Sequence, residues 1–192
     1  MNINSESSIL DVATGTGDVA FEIAERYNAN IIGLDYAEGM ITVAKKKALQ
    51  KKISGKITFI QGDGENLPFE DNSYDVIFCN HVLEHIPDDD KAMEELYRIL
   101  KPNGMAILQI PQDLNREKTF EDNSITDSKE RARIFGQYDH VRIYGRDYFE
   151  KLRSKGFIVK EVDYTHQLSK TEVDKYRLAK GEILPICFKS NN

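Results

Sequence analysis

Apolar residues along the chain fall into short unbroken runs, separated by stretches where they recur every three or four positions. Ser8–Ala13, Asn30–Asp35, Lys56–Gln61, Ser73–Asn80 and Met105–Ile110 are such runs, and each reads as a strand buried on both faces. Helical spacing fills the intervals. Asp18–Tyr27 repeats through Val19, Ile23, Ala24 and Tyr27, a second helix covers about Ala37 to Lys51, and a third covers about Asp89 to Leu100. Lys101-Pro102-Asn103-Gly104 stops the third helix. Strands that alternate with helices predict an α/β fold, a doubly wound, mostly parallel sheet covered on both faces.

After Pro111 the rhythm fails. Residues 112–144 are polar and weakly periodic, with a helix predicted around Asp127–Phe135. A connection of that length in a compact domain reads as a lid or a substrate-binding insertion. Order resumes with a helix at Arg146–Lys155 and strands at Phe157–Asp163 and Glu182–Lys189. Ser169–Lys180 between those strands reads as a short exposed helix or loop. The last two strands are expected to pair antiparallel.

The 192 residues suffice for a single domain, 1–192, and a net charge of −6 argues against nonspecific nucleic-acid binding. The run Lys45-Lys46-Lys47-Ala48-Leu49-Gln50-Lys51-Lys52 is read as the basic end of the second helix, where cations complement the dipole. No stretch is long and apolar enough for a membrane span. Cys79 and Cys187 lie in apolar runs and are expected to be buried free thiols, which fits a cytoplasmic protein. A small-molecule partner is expected, and a homodimer stays open.

The first predicted strand ends in Asp11-Val12-Ala13-Thr14-Gly15-Thr16-Gly17. Glycines there let the backbone approach a ligand at a helix N-terminus. Gly15-Thr16-Gly17-Asp18-Val19-Ala20 also fits the loose dinucleotide fingerprint, with Asp35 downstream for ribose hydroxyls, so an NAD(P)-dependent oxidoreductase is one reading. Asp11 just before the glycines suits an ammonium better than a pyrophosphate, and Asp35 serves either ligand.

Further segments decide between them. Asp63-Gly64-Glu65-Asn66-Leu67-Pro68-Phe69, Ser73–Asn80, Val82-Leu83-Glu84-His85-Ile86-Pro87-Asp88 and Ile99–Gly104 follow in order. From Ile9 to Ile110 the sequence resembles the class I S-adenosylmethionine-dependent methyltransferases, and at the glycine loop their quinone-methylating branch. The resemblance implies a Rossmann-like sheet of strand order 3-2-1-4-5-7-6 with an antiparallel last strand. It implies methyl transfer from S-adenosylmethionine to a small molecule, releasing S-adenosylhomocysteine. Asp11, Thr14, Gly15 and Gly17 would surround the methionine moiety and Asp35 would take the ribose hydroxyls. Asp63 and the Gly64 N–H would meet adenine, Tyr36 and Met40 would pack on adenine or ribose, and Asn80 and His81 would border the sulfonium. Asp75 is expected to be structural. A noncatalytic S-adenosylmethionine-binding protein is the remaining alternative.

Two departures accompany the resemblance. Ala13 stands where many relatives carry the loop's first glycine. The helix or two that usually precede the first strand have no counterpart, so the chain is expected to be shortened, or covered by 112–144 or a partner subunit.

Methyl transfer needs alignment more than side-chain chemistry. Where an acceptor must lose a proton, His140 beside Asp139 is the expected base and His81 the second choice. Tyr138 and Arg142 are candidate substrate contacts, Arg142 for an anionic group. His81-Val82-Leu83-Glu84-His85 spells the inverted zinc-protease pattern. At a strand end, with Pro87 close behind, it is read as family pattern, and no metal is expected. Asn80-His81-Val82-Leu83 also lacks the Asn/Asp-Pro-Pro-Tyr/Phe motif of amino-methylating nucleic-acid enzymes.

Overall fold

A computed structural model describes residues 3–51, 53, 55–179 and 181–191. Seven strands form one sheet: β1 (Ser8–Val12), β2 (Asn30–Asp35), β3 (Ile57–Gln61), β4 (Tyr74–Cys79), β5 (Leu100–Ile107), β8 (Ile158–Asp163) and β9 (Ile183–Phe188). Their order is β3-β2-β1-β4-β5-β9-β8. The first five run parallel, and β9 enters antiparallel between β5 and β8. This is the expected order, renumbered because β6 (Phe120–Glu121) and β7 (Arg142–Ile143) form a separate small ribbon inside the insertion.

Helices α1 (Asp18–Tyr27) and α2 (Glu38–Lys51) cover one face of the sheet. Phe21, Ile23, Ile41 and Ala44 pack there on Ile9, Ile31, Phe59 and Val76. Helices α3 (Asp89–Ile99) and α5 (Tyr148–Ser154) cover the other, where Met93, Leu96, Tyr148 and Leu152 meet Leu10, Ile77 and Ala106. Strands buried on both faces explain the unalternating apolar runs. Two lysines of the basic run pair with α1: Lys47 Nζ lies 2.8 Å from Asp18 and Lys51 Nζ 2.8 Å from Glu25. Lys52 and Lys180 lie outside the described residues.

The fifth strand begins earlier than its sequence suggests. Leu100 already pairs with Tyr74, and the next pair is Val76 with Met105, so Lys101–Gly104 bulges out of a strand that starts directly from α3. Asn103 takes a left-handed φ of 60° at the bulge and its N–H donates to Lys189 O. Proline and glycine here shape a bulge, not a free loop.

The insertion is ordered. It carries α4 (Ser128–Phe135), N-capped by Asp127, and β7 beside β6. Beyond β8, a 3₁₀ turn (Tyr164–Gln167) and α6 (Lys170–Tyr176) precede β9. Cys79 and Cys187 are free and buried. No helix among the described residues is long and apolar enough to cross a membrane.

Candidate active site

The carboxyl ends of β1, β2, β3 and β4 converge on one edge of the sheet, where ligands bind in doubly wound folds. At β1, Thr14 Oγ1 donates to Asp11 Oδ2 at 2.6 Å, and Thr14 N donates to Leu34 O at 2.9 Å. The loop is thereby strapped to β2. At the end of β2, Asp35 accepts from Gly15 N and Ala37 N, each at 2.8 Å and each at a different carboxylate oxygen. Each oxygen keeps a second acceptor site for a hydroxyl.

The two glycines have different reasons to be glycine. Gly17 has φ 86°, and a Cβ there would stand 2.7 Å from Phe59 Cζ. Gly15, at φ 56°, would place a Cβ in open space. That space is the backbone cradle a ligand can enter. Ala13 also sits left-handed, at φ 55°, a conformation that burdens a Cβ.

Asp11 is buried, and loss of solvation raises its carboxyl from the ordinary 3.8 to about 6, with the Asp35 charge adding to the rise and the Thr14 hydrogen bond opposing it. A buried acid so placed gains most from a cation beside it.

Asp63 and Gly64 follow β3. Asp63 is exposed, and its Oδ1 accepts from Glu65 N at 2.9 Å while Asn66 N closes the turn on Asp63 O. A Cβ on Gly64 would reach Ile86 Cδ1 at 3.0 Å, so the Asp63–Phe69 and Val82–Asp88 motifs pack on each other here. Helix α3 clamps the same segment: Glu95 accepts from Leu67 N, and Arg98 donates to the carbonyls of Leu67 and Phe69. Tyr36 and Met40 are exposed beside the cleft.

Asn80 and His81 end β4. Asn80 Oδ1 is buried without a hydrogen-bond partner among the described residues, an orphan acceptor on a residue at the carboxyl end of β4. A ligand carrying an ammonium, ribose hydroxyls and an adenine amino group fits these acceptors: Asp11 and Asn80, Asp35, and Asp63. Asp75, by contrast, holds Ser8 N and Lys101 Nζ, each at 2.8 Å, and braces β1 against β5.

His81 has φ 56°, and its N–H donates to Gln109 O. Its Nδ1 lies 3.7 Å from Glu84 Oε1, and that carboxylate holds the imidazole above its ordinary range. The ring lines a cavity of about 380 Å³ whose walls include Ile110, Leu114, Phe149, Ile183 and Pro185. These lining residues come from just beyond the end of β5, the insertion, α5 and β9, segments distant in sequence that only the fold brings together.

The insertion corrects two expectations. Arg142 is not available to a substrate. It is 1% exposed and spends its guanidinium on the carbonyls of Leu83, Ile86 and Pro87, with Glu121 Oε2 at 3.1 Å and Asp89 Oδ1 at 3.5 Å. Four of the five N–H donors are hydrogen-bonded, and the fifth faces Asp89. Asp139 does not face its neighbour His140. Its Oδ2 lies 3.4 Å from His85 Nδ1, and His140 meets the His85 ring edge-on at 4.7 Å. His140 lines a second cavity with Gln112 and Asp113, which shares Pro111 and Gln112 with the cavity beside His81, and Tyr138 is exposed.

The sequence profile of the methyltransferase domain family matches residues 3–174. The chain belongs to that family. This methyltransferase domain is of the S-adenosylmethionine-dependent kind, and the dinucleotide reading of Gly15-Thr16-Gly17 falls away. It is 34% identical over 118 residues to a demethylmenaquinone methyltransferase of Lactobacillus johnsonii, a match covering 60% of this chain and 48% of that protein. It is 41% identical over 106 residues to a ubiquinone/menaquinone biosynthesis C-methyltransferase of Rickettsia prowazekii, covering 53% and 43%. The matched part thus spans less than half of each relative's length. Among solved structures, phosphoethanolamine N-methyltransferase 2 of Haemonchus contortus, in complex with S-adenosyl-L-methionine, has the same fold with a TM-score of 0.66. Identity there is 20%, over 98% of this chain and 50% of that one.

Proposed function

We propose that this methyltransferase domain transfers a methyl group from S-adenosylmethionine to a small, largely apolar acceptor seated in the cavity beside His81. The observation that carries the reading is that His81, which lines the cavity, follows Asn80 at the carboxyl end of β4, the strand paired with β1 where the strapped Asp11–Gly15–Asp35 cradle begins. When bound, S-adenosylmethionine supplies an electrophilic methyl group on a sulfonium. Asp11, with Asn80 Oδ1, holds the ammonium, Asp35 the ribose hydroxyls and Asp63 the adenine amino group, while Tyr36 and Met40 pack on the adenine or ribose.

The walls of the cavity exclude water and favour a ring-bearing or aliphatic acceptor. The quinone methyltransferases among the relatives support that class of acceptor. His81, oriented by Glu84, accepts a proton from the acceptor at its imidazole. The 112–144 insertion borders this pocket through Gln112 and Leu114 and acts as its side wall. Buried free thiols fit a cytoplasmic setting.

The test is formation of S-adenosylhomocysteine from S-adenosylmethionine and a panel of phenols and hydroquinones, with His81→Ala as comparison. Turnover should fall about 10²-fold or more in His81→Ala with cofactor Kd within a factor of about three. No product from any acceptor, or an unchanged kcat in His81→Ala on a hydroxyl acceptor, would overturn the assignment.

A further inference from the structure

Glu84 is only half explained by the methyl-transfer site, where its Oε1 faces His81. Its side chain is 2% exposed, and Oε2 has no hydrogen-bond partner among the described residues. A buried carboxylate in that state requires a cation or a donor. Glu84, His85 and His140 each offer one ligand atom, and these atoms lie within 4.8 Å of one another.

The backbone brings them together. Val141 N donates to Glu84 O at 2.9 Å, and Arg142 Nη1 donates to Leu83 O at 2.7 Å. The insertion is therefore stapled alongside the Leu83–Pro87 turn, and His140 is held opposite His85. The turn is not a helix, so His81 and His85 do not share a helical face, and the zinc-protease pattern stays rejected. The second imidazole comes from His140, fifty-five positions on, which local spacing does not reveal.

His85 carries the mark of an oriented ligand. Its Nδ1 faces Asp139 Oδ2 at 3.4 Å, while its Nε2 faces Glu84 Oε1 at 3.9 Å. A carboxylate on one ring nitrogen fixes the tautomer that leaves the other free to bind metal. Two imidazoles and one carboxylate suit borderline first-row divalent cations, whereas magnesium and calcium favour all-oxygen shells. Ligand atoms around tetrahedral zinc stand about 3.3 Å apart.

We propose that Glu84, His85 and His140 form a three-ligand site for a borderline divalent cation of the Zn²⁺ type, with Asp139 orienting His85. Of the three ligands, His140 also lines a cavity of about 370 Å³, with room for water or an oxygen ligand. The site shares Glu84 with the methyl-transfer reading, in which that carboxylate orients His81, but it does not require S-adenosylmethionine to bind.

The test strips the full chain with a chelator and titrates Zn²⁺ by calorimetry, with Co²⁺ absorption as a second readout. The parent should take up one equivalent. Glu84→Gln and His140→Ala should each weaken Zn²⁺ binding at least tenfold, and Asp139→Asn about tenfold. Metal-free thermal unfolding checks that each variant folds. Should Glu84→Gln not fold, the parent's Co²⁺ spectrum and its loss in His140→Ala carry the result. Absence of stoichiometric uptake by the parent, or uptake unchanged by both Glu84→Gln and His140→Ala, would overturn the site. S-adenosylmethionine binding on the same stripped protein separates failure of this site from failure of the cofactor site.

Discussion

Replacing Arg142 by methionine should unfold this domain more readily than any single change at its cofactor cleft. Methionine retains much of the side chain's apolar bulk but removes all five donors. The carbonyls of Leu83, Ile86 and Pro87 lose partners at once, and Asp89 loses one of the cations around it. Leaving a buried polar group unpaired costs about 1–3 kcal/mol, and breaking a buried ion pair by removing one partner costs about 3–5 kcal/mol. Some carbonyls regain water, because Pro87 is exposed and Ile86 half-buried. Lys151 Nζ also remains 2.7 Å from Asp89. A net loss of about 3–4 kcal/mol follows. Urea unfolding of parent and variant, fitted with a common slope, measures it. A loss below about 1 kcal/mol would refute the structural role given to Arg142 and return it to the substrate.

Two other predictions concern the glycine loop. Because burial raises Asp11 from 3.8 to about 6, its contribution to stability is fully present below pH 3.8 and is lost as pH rises through about 6. That displacement corresponds to about 3 kcal/mol, so Asp11→Asn should gain stability relative to the parent, without cofactor, between about pH 4 and pH 7. A difference independent of pH in urea titrations would contradict the burial of an ionised Asp11. Ala13→Gly should relieve the left-handed strain at φ 55° and stabilise the domain by about 1 kcal/mol, read as a rise of about 2–4 °C in Tm. A lowered Tm would mean that Ala13 earns its place through contacts of its methyl group.

What the sequence made legible was local. Asp11, Gly15, Gly17 and Asp35 stand at the ends of strands whose apolar runs mark them, and strand ends in an α/β fold are where ligands go. The seven-strand order came with the family resemblance, and the antiparallel pairing of the last two strands with a connection read as short. What stayed hidden was set by contacts distant in sequence. Arg142 resembles any surface arginine in a polar loop, yet the turn at Leu83–Pro87 presents three carbonyls that need donors, and β7 delivers the guanidinium to them. Asp139 and His140 look like a dyad because they are adjacent, but their side chains diverge, and His85 takes Asp139. Lys101-Pro102-Asn103-Gly104 does follow the end of α3 at Ile99, yet it lies within β5 and not ahead of it. A bulge and a loop call for the same residues, and only pairing with β4 and β9 separates them.

The account rests on the cleft taking S-adenosylmethionine, and calorimetric titration of the purified chain with that compound tests it most directly. The cradle of Asp11, Gly15, Asp35 and Asp63 predicts saturable one-to-one binding, weakened by about 1–3 kcal/mol in Asp63→Ala, with no heat from NADH or NADPH. Binding of a dinucleotide in its place, or S-adenosylmethionine affinity untouched by Asp63→Ala, would contradict it.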